Sequence, residues 1–291
     1  MKNKKILGIG RSSRFSPNST ERDAAIFQSV ADLLSARGGQ VDCVCEDECE
    51  TVEGYEAVFS MARDLRVVRL LAQAEEKGVV VLNSARALLG ATRLALTECF
   101  EREGIPVPLS PALFRLENGQ MTAHSRLSGY DRLPFPLWLK RSGACAQSAG
   151  DVCFVESIDT LQDALQNYVS RGIEEVLASE HLVGDLVKFY GVEGTNFFYY
   201  HYPTADNAFS KFGLERINGA PSGYPLDVKS LKASADRAAS LSGITIYGGD
   251  CIVDAHGRFR IIDFNDWPSY SRCREEAALA IAEKIQHALL K

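Results

Sequence analysis

The chain has 291 residues, 46% of them hydrophobic and 24% charged, a composition ordinary for a globular protein, and its length suggests about two domains. With 32 Lys plus Arg against 38 Asp plus Glu the net charge is −6, which excludes a global attraction to nucleic acid or an anionic membrane and leaves any anionic substrate to local cations. No apolar run approaches the roughly 18 residues that span a bilayer, and no basic leader precedes a long apolar stretch, so a cytoplasmic protein is expected.

KKILGIG at 4–10 reads as a short buried strand, followed by a Ser- and Asn-rich loop to Thr20 and a helix over 21–37 that Gly38 and Gly39 end. GIGRSS at 8–13 starts like a dinucleotide fingerprint, but Ser13 stands where the third glycine belongs and the loop runs on too long, so no nucleotide is expected there. QVDCVC and YEAVFSM supply two more strands, a helix covers 64–77, and VVVLN at 79–83 closes an alternating unit with a small parallel sheet. Cys43, Cys45 and Cys49 form the one cysteine cluster. With no CxxC pair and no nearby His they read as reduced, small hydrophobic residues rather than a thiolate site.

From Ser84 the pattern changes. Residues 84–104 read as one long helix closed by Gly104, and IPVPLSP as an extended Pro-rich connector, so three regions are expected: 1–90, 91–178 and 179–291. PFPLWLKRSG and DVCFVES read as a strand and its return, joined by a small-residue loop. A helix over 158–171, the strand EEVLASEHLV, the strands LVKFYGVEG and NFFYYHYP, a helix over 226–242, the strands YGGDCIVD and FRIIDFN, and a helix over 274–290 complete the chain.

Three stretches carry chemistry. Lys140 followed by RSGACAQSAGD places a cation beside a loop whose small residues let backbone amides approach an anion, though hairpin loops are rich in such residues anyway. VLASEHLVGDLVKFYGV has a linker bounded by apolar residues that could meet the edge of a purine, an acid, Asp185, that could accept ribose hydroxyls, and a cation, Lys188. Its simpler reading is a hairpin with surface charges. In RIIDFN, alternation puts Asp263 and Asn265 on one face and Phe264 on the other. Asp263 and Asn265 either cap a turn or, joined by Asp250 from the preceding strand, offer three oxygen donors to Mg²⁺.

In this order the parts resemble the ATP-grasp superfamily over most of the chain. The resemblance implies an α/β fold with an α+β second region: a small parallel-sheet pre-ATP-grasp domain, then two subdomains that clamp ATP. It implies that 83–93 is the linker helix, with Arg93 where a nucleotide-binding Lys is usual. Lys140 is then the lid phosphate lysine, and Ser142, Gly143 and Ser148 belong to the flap. Glu180, His181 and Val183 are implied as the adenine hinge, Asp185 as the ribose acid, and Asp250, Asp263 and Asn265 as ligands of one or two Mg²⁺ ions, for which Mn²⁺ can substitute. Lys188, Arg141 and Arg272 are the expected catalytic cations, and Lys211, Arg216 and Arg274 are further candidates for an acceptor pocket. ATP, an anionic small molecule and a homodimer partner are expected, with no nucleic acid and no membrane.

The superfamily mostly holds carboxylate–amine ligases. Three details are similar instead to its inositol-phosphate kinases: Asp rather than Glu at 263, the turn Pro268-Ser269-Tyr270, and LVKFYGV. ACAQSAG lacks the Ser-His pair of those kinases. Ligase, kinase and a non-catalytic ATP-binding module all remain, in that order.

Overall fold

The computed structural model describes residues 4–16, 19–126, 133–143, 148–203 and 217–290. The loop residues 144–147 and the candidates Lys211 and Arg216 lie outside them.

The first unit is a parallel sheet of β1 (Lys5–Gly10), β2 (Gln40–Cys45), β3 (Ala57–Ser60) and β4 (Val80–Leu82), in the order β2-β1-β3-β4. Helices α1 (Thr20–Ala36) and α2 (Leu65–Glu76) cover its two faces. The Asp64 carboxylate caps α2 by accepting from the Arg66 amide at 2.8 Å.

The expected helix over 84–104 is two helices, α3 (Ala85–Gly90) and α4 (Arg93–Arg102). Thr92 leaves the helical conformation and accepts from the Ala95 amide with its hydroxyl, a new N-cap two residues after Gly90, so local capping overrides the apolar periodicity.

A five-stranded antiparallel sheet follows: β5 (Ala112–Glu117), β6 (Gln120–Ser125), β7 (Leu137–Arg141), β8 (Val152–Val155) and β9 (Glu175–Glu180), in the order β6-β5-β9-β7-β8, with α5 (Ile158–Ser170) packed on one face. The β5–β6 hairpin went unrecognised in the sequence. Its signal was Asn118-Gly119, both at positive φ (50° and 80°), the conformation a two-residue hairpin turn requires.

The last unit is an antiparallel sheet of β10 (Asp185–Val192), β11 (Phe198–His201), β12 (Ile246–Val253) and β13 (Phe259–Asp266), in the order β11-β10-β12-β13. Helix α6 (Val228–Ser242) packs on one face through Leu231, Ala235, Ala238 and Ala239, against Val187, Phe189 and Tyr247. Helix α7 (Arg274–Ala288) packs on the first unit, sharing a core with Ile6, Ile26 and Phe59. The buried Asn83 amide pins the first unit to this sheet: Nδ2 donates to the Ile246 carbonyl at 2.9 Å, and Oδ1 accepts from the Ile246 amide at 2.7 Å.

Among the described residues, no helix is long and apolar enough to cross a membrane. Cys43 is exposed, Cys45 half-buried and Cys49 buried, and none of the three is in a disulfide.

Candidate functional site

Lys188, Asp250 and Asp263 form one row because the register of three adjacent strands puts Lys188 opposite Asp250 and Asp250 opposite Asp263. All three point away from α6, since their neighbours Val187, Phe189, Cys251 and Phe264 fill the α6 core.

A β-bulge sets the end of this row. Asp250 pairs with Asp263 but Cys251 pairs with Ile261, leaving Ile262 as the extra residue. The bulge resets the alternation, so that Ile261 and Phe264, three apart, both face the α6 core while Asp263 and Asn265 face the opposite side. It also leaves the Ile262 carbonyl outside the ladder, where it accepts from Lys140 Nζ at 2.8 Å.

The turn after β13 is held firmly. Trp267 and Tyr270 are fully buried at φ 38° and 48°, and the Tyr270 hydroxyl lies 3.1 Å from both the Gly191 and Tyr247 carbonyls.

Charges alternate across the site. Lys188 Nζ lies 3.2 and 3.1 Å from the two Asp250 carboxylate oxygens. Arg93 Nη1 lies 3.2 Å from Asp263 Oδ1, and Asn265 Nδ2 donates to Asp263 Oδ2 at 2.6 Å. Burial would raise the Asp263 carboxyl, but Arg93, Lys140 and Asn265 outweigh it and hold it below its ordinary value. Lys140 is pulled down to about 8, by burial first and then by the neighbouring Arg93.

Among the described residues no three His, Cys, Asp or Glu side chains gather as a metal site. The expected set therefore depends on the Asn265 amide as its third oxygen. Two carboxylates on paired strands with an amide two residues along suit a hard cation, so the residues present fit Mg²⁺.

These groups line a cavity of about 550 Å³ that runs from the two antiparallel sheets to the first unit. Its inner part is apolar, with Leu182, Leu186, Ile252 and Ile262, and is edged by Trp138 and Glu180. The Glu180 carboxylate accepts from the Leu109 amide at 2.8 Å and from Arg260 Nη1 at 2.5 Å.

Several expected site residues are used elsewhere. Asp185, expected as a ribose acid, is 3% exposed and accepts the Ser222, Gly223 and Tyr224 amides at 2.6 to 2.8 Å, anchoring that loop. Asp185→Ala is therefore expected to destabilise the fold by about 2–4 kcal/mol in urea unfolding, because it removes the buried charged acceptor that holds three backbone amides of that loop.

Of the expected hinge, His181 and Val183 do not line the cavity and Leu182 between them does. The His181 ring packs on Trp138 and Phe154, its Nδ1 accepts from Trp138 Nε1 at 3.2 Å, and Val183 is 81% exposed. Ser142 is fully buried, and its hydroxyl accepts from the Leu94 amide at the start of α4. Ser148 forms a capping box with Asp151, and Gly143 lines the cavity. Arg141 follows Lys140 on β7 and points to the opposite face, with Nη1 3.8 Å from buried Asp151. Arg272 is exposed, and neither it nor Arg274 lines the cavity.

Sequence reasoning missed the wall contributed by the first unit. Arg11, Arg63, Leu65 and Leu89 line the cavity there, and Asp266 at the end of β13 meets them from the last sheet. These positions lie far apart in the chain and share no motif.

No protein-family model matches the chain, and no curated protein sequence matches it. Solved structures do. A RimK domain ATP-grasp protein from Sphaerobacter thermophilus is 17% identical with a TM-score of 0.65, the alignment covering 97% of this chain and 99% of that one. The D-alanine–D-alanine ligase of Bacillus anthracis, complexed with ATP, is 14% identical with a TM-score of 0.67, covering 100% and 99%. The ATP-grasp ligase PsnB, complexed with a minimal precursor, Mg and ADP, is 17% identical with a TM-score of 0.63, covering 98% of each chain. A likeness that extends over nearly the whole of all three chains leaves one reading of the architecture: this chain has the ATP-grasp fold.

Proposed function

We propose that the protein is an Mg-ATP-dependent carboxylate–amine ligase working through an acyl phosphate. The observation that carries this reading is the row Lys188, Asp250 and Asp263, with Asn265 beside it and Arg93 and Lys140 in contact with β13, all lining one cavity. The three solved ATP-grasp structures, two of them ligases, support it.

In this reading adenine lies against Leu182, Leu186, Ile252 and Ile262, and the phosphates run towards Lys140, Arg93 and Lys188. Asp250, Asp263 and Asn265 would hold Mg²⁺, which when bound neutralises charge on the β- and γ-phosphates. A substrate carboxylate oxygen bonds to the γ-phosphorus as the bond to the β–γ bridging oxygen breaks and ADP leaves. The amine nitrogen then bonds to the acyl carbon, the carbon–oxygen bond to phosphate breaks, and the nitrogen gives up a proton. The chain contributes positioning and charge, which suffice for such a transfer.

Transfer to an inositol-phosphate hydroxyl draws less support. The three arginines that line the outer cavity, Arg11, Arg14 and Arg63, are each paired with a carboxylate, which leaves a polyanion little uncompensated charge among the described residues.

The test is ADP release with Mg-ATP over a panel of amino acids, peptides and inositol phosphates, followed by product masses. Condensation of two substrates supports the ligase. A mass gain of one phosphate on a hydroxyl would replace it with a kinase, and tight ATP binding with no ADP release under any condition would leave a binding module.

Lys140 gives a pH prediction. Phosphate binding favours the charged lysine, so nucleotide affinity should be flat below about pH 8 and fall by up to about tenfold per pH unit above it, until the nucleotide-bound lysine also titrates. Lys140→Arg, charged throughout, is expected to flatten a calorimetric pH series. An identical fall in the variant would assign the titration to another group.

A further inference from the structure

The outer part of the cavity lies between the first unit and the β13 turn. Its charged groups are balanced one against another. Arg11 Nη1 lies 3.0 Å from Asp23 Oδ2 with both side chains under a tenth exposed, Arg63 Nη2 lies 2.6 Å from Asp266 Oδ1, and Arg14 Nη2 lies 2.9 Å from Asp47 Oδ1. Arg11 also donates to the Met61 and Trp267 carbonyls, so it is committed to joining the two units. A strongly charged ligand of either sign would have to break one of these pairs, whereas a dipolar ligand can extend them.

The other side of this space is apolar. Phe15, Val68 and Leu88 line it together with Leu65 and Leu89, which are 59% and 39% exposed. A lone exposed leucine is ordinary. Two that share a cavity wall with three further apolar side chains make a surface that gains from being covered. Asp266 adds a polar observation. It is 4% exposed, and its Oδ2 is closed off from solvent with no hydrogen-bond partner among the described residues. Asp266 itself lines the cavity, and a substrate ammonium is a donor that fits its unpartnered acceptor.

We propose that this outer lobe is the subsite of the amine-bearing substrate and that it takes a compact, dipolar amino acid with an apolar side chain. Leu65 and Leu89 select the side chain, and the Asp266–Arg63 pair receives the charged end. The assignment rests on the ligase reading for its chemistry, and its binding test is separable from that reading.

The test is calorimetric titration of the full chain with leucine and phenylalanine in both hands, with glutamate and lysine, with N-acetylated leucine and phenylalanine, and with inositol hexakisphosphate. Each titration is run with and without Mg²⁺ and a non-hydrolysable ATP analogue, and the analogue is titrated separately. At least one apolar amino acid should bind tenfold or more tightly than glutamate, lysine or its own N-acetyl form. Leu65→Ser and Leu89→Ser, at exposed positions where the fold tolerates change, should each weaken that binding at least fivefold and leave the analogue's affinity unchanged. Asp266→Asn should erase the preference for the free amine over the N-acetyl form.

Equal binding of free and acetylated forms, preference for glutamate or the polyphosphate, or unchanged affinity in both leucine variants would overturn the assignment. So would analogue binding with no amino-acid binding. Selective amino-acid binding without analogue binding would sustain the subsite and overturn the nucleotide reading instead.

Discussion

Asp263→Asn is expected to lower turnover by about a hundredfold or more and to shift its dependence on Mg²⁺ to higher concentration, because the change keeps the shape and removes one negative charge where the cation would sit. The structure adds a second consequence. Arg93 lies 3.2 Å from this carboxylate and is 16% exposed, so the variant also loses a partly buried ion pair and should melt at lower temperature. Lowered stability alone does not separate a metal ligand from a structural acid.

The Mg²⁺ series separates them. Asp250→Asn, which frees Lys188 from its partner, should act in the same direction, and the double variant should lose less than the sum of the two single losses, because residues acting on one ion are not independent. Unchanged Mg²⁺ dependence in both single variants, with only the melting temperature reduced, would return Asp263 and Asp250 to the role of charge partners for Arg93 and Lys188.

Gly249→Ala should be nearly as damaging although it touches neither charge. A Cβ at this position would sit 2.4 Å from the Asp263 carbonyl oxygen and 2.5 Å from Phe189 Cζ, and one of those atoms is backbone. β12 and β13 must then separate where Asp250 faces Asp263. The expected cost is about 1–3 kcal/mol of stability, together with a loss of Mg²⁺-dependent turnover far beyond what that destabilisation explains. Urea unfolding and an Mg²⁺ titration of activity on the same preparation test both. A variant of wild-type stability and turnover would show that the two strands part freely and that the site does not need their close approach.

Local sequence was informative where one short segment contains its own physical cause. The parallel unit at the start follows from buried runs alternating with amphipathic stretches. Asp263 and Asn265 share a face because strands alternate, and they are two residues apart. Gly38, at positive φ just after α1, marks a helix end by its own chemistry.

What the local sequence did not show had its cause elsewhere in the chain. The bulge at Ile262 arises from pairing with β12, and no pattern within RIIDFN announces it. Asp185 looked like a ribose acid because it follows a linker, but three amides at 222–224 take its carboxylate. Arg141 looked as available as Lys140 until β7 paired on both edges and fixed which of the two faces the cavity. The outer wall was invisible for the same reason: Arg11, Arg63, Leu65, Leu89 and Asp266 lie on β1, α2, α3 and β13 or at their ends, and only the packing of the first unit on the last sheet brings them together. Periodicity and capping act over a few residues and are therefore written in the sequence, whereas a carboxylate's partner depends on which distant backbone arrives beside it, and that is decided by tertiary packing.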